Sequence, residues 1–113
     1  MANSPHFLSA STLTGDKVTN PKGESLGDLK DIMIDTETGS IAYGVLSFGG
    51  VLGLGEKLFA VPWEALRVDG DRKELILNVD KERLKDAPGF DKDNWPNFAD
   101  TTFVNRVRKY YIQ

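Results

Sequence analysis

The residues able to do chemistry in this chain are mostly carboxylates in short clusters. Asp35-Thr-Glu-Thr-Gly39 and Asp91-Lys-Asp-Asn94 each set oxygen ligands two residues apart, as calcium loops do. Neither is followed by the bidentate glutamate such a loop requires, and both stand where turns are expected, so they read as turns. Gly50-Val-Leu-Gly-Leu-Gly55 has the glycine density of a phosphate cradle. A cradle needs a helix N-terminus directly after it, whereas Gly55-Glu56-Lys57 leads into a β-prone run ending at Pro62. His6 has no second histidine with which to build a metal site. The absence of cysteine excludes disulfides, thiol catalysis and thiolate-held metals. Paired carboxylates such as Asp28 and Asp31 have the chemistry for acid–base work, but solvated exterior is the better reading of them. No catalytic residue, metal or cofactor is therefore expected, and the reading is non-enzymatic.

The elements that must position these residues belong to one domain. With 113 residues, 40% of them hydrophobic, the chain can build a single core. A net charge of −3, with 17 acidic against 14 basic residues, disfavours nonspecific nucleic-acid binding, which needs clustered cations. No nucleic-acid partner is expected. Met1 to His6 has neither the basic nor the apolar region of a signal peptide. Ile41 to Gly55 is uncharged, but fifteen residues would span only ~22 Å as a helix against a ~30 Å hydrocarbon core, and five are glycine. Cytoplasmic residence without membrane insertion is the expectation.

Short β-prone runs separated by turn signals predict a strongly bent sheet. Ser9 to Gly15 reads as a capped turn, Asp16 to Asn20 as a strand, and Ser25 to Asp35 as the next strand. In that strand Leu29 is odd while Ile32 and Ile34 are even, so a bulge near Lys30 and Asp31 is needed to bring them to one face. Ser40 to Phe48 is apolar or small on both faces, as in a strand covered on both sides. Lys57 to Val61 is a strand stopped by Pro62, and Trp63 to Leu66 is a helical turn that plugs the barrel end, with Val61 and Trp63 in the core. Arg67 to Asp69 and Glu74 to Val79 form a hairpin about the Asp69-Gly70 turn. Asp80 caps a short helix through Ala87. A helix from about Asp100 carries Phe103, Val104, Val107, Tyr110 and Tyr111 as one apolar stripe.

Gly23-Glu-Ser-Leu-Gly27, Asp31-Ile-Met-Ile-Asp35, Tyr43-Gly-Val-Leu46, Gly49-Gly-Val-Leu-Gly-Leu-Gly55 and Ala60-Val-Pro-Trp63 together make a sequence that resembles the PRC-barrel family over roughly residues 9 to 80. The resemblance implies a mainly β fold: a single small, strongly bent β-barrel with short helical turns and a C-terminal helix. Residues 1–8 are then an N-terminal extension, 9–80 the barrel, and 81–113 a helical extension that packs on the barrel or on a partner. The family includes the cytoplasmic part of the photosynthetic reaction centre H subunit and the C-terminal domain of a ribosome-maturation factor. The H subunit's membrane helix and the factor's additional N-terminal domain have no counterpart in this reading, so neither specific role transfers.

The function expected is a protein-interaction or assembly module that pairs with a second copy or with another protein. Two apolar surfaces are candidates: Val51, Leu52 and Leu54 at the glycine corner, and Phe103, Val107 and Tyr110 on the terminal helix. Gly49, Gly50, Gly53, Gly55, Pro62 and Trp63 are expected to be structural. The alternative is a regulatory domain that takes a small ligand or ion at the barrel mouth near Trp63.

Overall fold

The computed structural model describes residues 7–49 and 56–112. In chain order these form α1 (Ala10–Leu13), β1 (Lys17–Thr19), β2 (Ser25–Asp35), β3 (Ser40–Gly49), β4 (Glu56–Pro62), a 3-10 turn (Trp63–Ala65), β5 (Leu66–Asp69), β6 (Glu74–Leu77), α2 (Lys81–Lys85) and α3 (Thr101–Tyr111). The fold is mainly β, as expected. Six strands make one sheet in the order β4-β3-β2-β1-β6-β5. The pairing is antiparallel except between β1 and β6, which run parallel.

The sheet curls on itself. Gly44 lies on β3 and Leu66 begins β5, four places away in strand order, yet a Cβ added at Gly44 would stand 2.8 Å from Leu66 Cδ1. Irregular pairing supplies the bend. Leu29 pairs with Leu46 and Asp31 with Val45, leaving Lys30 as the extra residue, so the expected bulge is present. A second shift between Met33 and Ile34 leaves Ala42 of β3 as the extra residue, and Ile34 beside it is exposed.

Two apolar layers result. Inside the curl, Val18, Leu26, Leu29, Phe59, Leu75 and Leu77 form the main core, closed from below by Leu13 and Leu84. Outside it, Tyr43 and Ala60 meet Val107 of α3, flanked by Phe98 and Phe103. This is why β3 is apolar on both faces: Leu46 points into the curl and Tyr43 points towards the helix.

The β1–β2 turn is held by a buried side chain, Asn20. Its Nδ2 donates to Glu24 Oε1 at 2.7 Å and to the Val79 carbonyl at 3.1 Å, and its Oδ1 accepts the Lys22 and Glu24 N–H groups at 3.1 and 2.9 Å. Asp80 sits at the N-cap of α2 as expected, but its carboxylate makes no cap hydrogen bond; it pairs with Lys22 Nζ at 3.1 Å instead. The hydrogen bond from Asn20, aided by the Lys81 N–H, holds the Glu24 carboxyl below its ordinary value of 4.5. A depressed carboxyl pKa stabilises the fold above the ordinary value, and that contribution disappears as pH falls through the folded value. Thermal unfolding followed from about pH 6 down to about pH 3 is accordingly expected to show a smaller acid-induced loss in Glu24→Gln than in the parent. Equal slopes would show that Glu24 takes no part.

Candidate functional site

The terminal helix and the 3-10 turn together frame a concave surface. Asp100 caps α3, accepting the Thr102 N–H at 2.9 Å, and this starts the helix where Val104 and Arg108 fall one turn apart on the same face. Pro62 is buried and pairs with Tyr43 at the end of β4, which turns the chain so that Trp63 and Glu64 project beside that face. The cleft between them has a volume of about 300 Å³, with Ile41, Ala42 and Tyr43 as its floor and Trp63, Glu64, Val104 and Arg108 as its walls.

The cleft is apolar inside and charged at one rim. Arg108 Nη1 donates to Glu64 Oε1, an ion pair whose side chains are both solvent-accessible. This bond holds the Glu64 carboxyl below its usual range and raises the Arg108 guanidinium. Burial pushes the Tyr43 hydroxyl up, and the Arg108 charge pulls it partly back. The sequence-based reading missed Tyr43, Glu64, Val104 and Arg108 as a group. The one available signal was the four-residue interval between Val104 and Arg108.

Of the residues that the sequence marks as structural or interaction candidates, Gly50, Val51, Leu52, Gly53, Leu54 and Gly55 lie outside the described residues. Gly49 ends β3 with φ 89°, a conformation that suits glycine. Trp63, expected in the core, packs against the main core and is half-buried, and it also lines the cleft. On the helix, Val107 is 0% exposed against Tyr43 and Ala60, and Phe103 joins the same layer. Tyr110 is clasped to α2. The Arg83 guanidinium donates to the Tyr110 carbonyl at 2.8 Å and lies over its ring at 4.9 Å, while the Tyr110 hydroxyl donates to the Arg83 carbonyl. The stripe thus packs on its own domain.

Beside the helix, a row of rings reaches the surface. Phe90 exchanges two backbone hydrogen bonds with Leu58, at 2.9 and 2.8 Å, and so covers the outer edge of β4 at that point. Trp95 lies tilted against Phe90 and Phe98, with ring centroids 5.2 and 6.3 Å away, yet is 38% exposed.

Tyr111, adjoining both apolar layers, has a buried hydroxyl with no hydrogen-bond partner among the described residues, and burial raises its pKa. Replacing it removes an unsatisfied polar group, so Tyr111→Phe is expected to stabilise the fold by about 1 kcal/mol in thermal unfolding. The parent should also lose stability above about pH 10, where the unfolded chain releases that proton and the folded chain does not, and the variant should lose less. A destabilised variant would instead reveal a partner for the hydroxyl.

Among the described residues no group of three or more His, Asp or Glu could hold a metal, and no helix is long and apolar enough to cross a membrane. The family model described as PRC-barrel domain matches residues 5–84. A solved structure assigned as the 16S ribosomal RNA processing protein RimM of Pseudomonas aeruginosa is 18% identical, with a TM-score of 0.45. That similarity covers 66% of this chain and 45% of the other, so this chain spans less than half the length of that protein. No curated protein matches.

Proposed function

Since the chain belongs to the PRC-barrel family, we propose that it is a non-catalytic interaction module of the cytoplasm that pairs with a second copy of itself. The observation that supports this reading is Trp95, a large apolar ring set against Phe90 and Phe98 and yet 38% exposed. Tryptophan so placed is typical of the few residues that carry most of the energy of an interface. The terminal stripe is taken up within the domain, so the apolar sequence Val51, Leu52 and Leu54 is the other segment we assign to pairing. A two-fold contact uses the same patch on both copies, so one such patch serves both subunits.

Size exclusion with light scattering at micromolar protein should give a mass near twice 12.5 kDa. Leu52→Asp and Trp95→Asp should each move it towards the monomer. A constant 12.5 kDa species at all concentrations would overturn self-pairing and assign the surface to a different protein. A second reading, binding of a small ligand, is favoured by the cleft beside Trp63.

A further inference from the structure

We propose that the cleft between α3 and the 3-10 turn receives a free α-amino acid with an apolar side chain. The inference rests on the small-ligand reading and gives that ligand a chemistry. Its size comes from the cavity: about 300 Å³ is at the lower limit, roughly 300 Å³, of pockets that take small organic ligands. The walls, Trp63 and Val104 above all, offer apolar and aromatic surface to a branched or aromatic side chain.

The polar end is set by the rim. Glu64 and Arg108 place one anion and one cation in direct contact, and both are reachable from water. Only Nη1 of the guanidinium is committed to Glu64 Oε1, and a guanidinium has further N–H donors in its fork. Those donors suit a carboxylate, and the second oxygen of Glu64 suits an ammonium group. A molecule carrying both charged groups on one carbon satisfies both rim groups at once. One bearing a single charge meets the like-charged rim group as well, which disfavours it.

The test uses the two tryptophan indole N–H signals in a nitrogen-15-labelled protein, with Trp95→Phe identifying which belongs to Trp63. L-leucine and L-phenylalanine are expected to shift the Trp63 signal saturably and leave that of Trp95 in place. Glycine, leucinamide and N-acetyl-leucine should each bind roughly tenfold more weakly or worse, since each loses apolar contact or one charged hydrogen-bonding group. Arg108→Gln and Glu64→Gln should weaken L-leucine by a similar factor, with Arg108→Lys restoring part of the loss if the cation itself matters. Comparable binding by N-acetyl-leucinamide, which is neutral, would overturn the amino-acid assignment while leaving a ligand site. No saturable shift with any of these compounds would overturn both the assignment and the ligand reading.

Discussion

Val107→Asp is expected to lower the stability of the domain by about 3–5 kcal/mol, the range for a buried charge left without a partner. Val107 is wholly enclosed between α3 and the outer face of β3 and β4, where Tyr43 and Ala60 are its apolar neighbours. An aspartate there must either stay neutral in an apolar layer or pull the helix into water. The second outcome exposes Phe103 and Val104 as well. A helix of 11 residues has little stability once undocked, because isolated helices shorter than about 12–15 residues are marginal in water. Circular dichroism should therefore show loss of helical signal together with a fall in melting temperature of more than about 10 °C, at about 4–8 °C per kcal/mol for a small domain. The outcome that would refute this placement is a variant that melts like the parent but changes its mass in solution, since α3 would then be packing against a second molecule.

Gly27→Ala should be nearly as damaging, for a steric reason. Gly27 has φ 124°, which L side chains rarely adopt, and an added Cβ would stand 2.0 Å from the carbonyl oxygen of Ser47 on β3. The obstacle is backbone, not the end of a side chain that can swing away. Relief requires β2 and β3 to separate where their pairing begins, at Asp28 and Ser47. Backbone strain of about 1–2 kcal/mol and overpacking of about 1–3 kcal/mol together predict a loss of about 2–5 kcal/mol. Gly39→Ala is the control. Gly39 has φ 78° and nothing within 4 Å of the added Cβ, so only the backbone strain applies. Equal melting temperatures for the two variants would show that the approach of Gly27 to Ser47 is not what constrains the residue.

Local features were legible because they are encoded within a few residues. The parity break from Leu29 to Ile32 requires an extra residue in β2, and Lys30 is that residue. Asp100 before a run with helical periodicity marks the start of α3, and Ser9 likewise caps α1, accepting the Thr12 N–H at 3.1 Å. The apolar character of both faces of Ser40 to Phe48 announced a strand covered twice. What covered its outer face was not legible, since an apolar stripe is equally suited to its own sheet or to another molecule.

The amino-acid sequence by itself determined the strands, their turns, the bulge in β2 and the family, all of which depend on residue order over short distances. Tertiary structure alone decided three other matters. It joined β1 to β6 in parallel across more than fifty residues, a pairing that no local pattern encodes. It laid α3 on the outer face of β3 and β4, burying Val107 and tying Tyr110 to Arg83. By doing so it brought Arg108 to Glu64 and Val104 alongside Trp63, residues more than forty positions apart. The physical reason is the same in each case: local propensity depends on neighbours along the chain, whereas burial and charge pairing depend on which distant surfaces the folded backbone brings into reach.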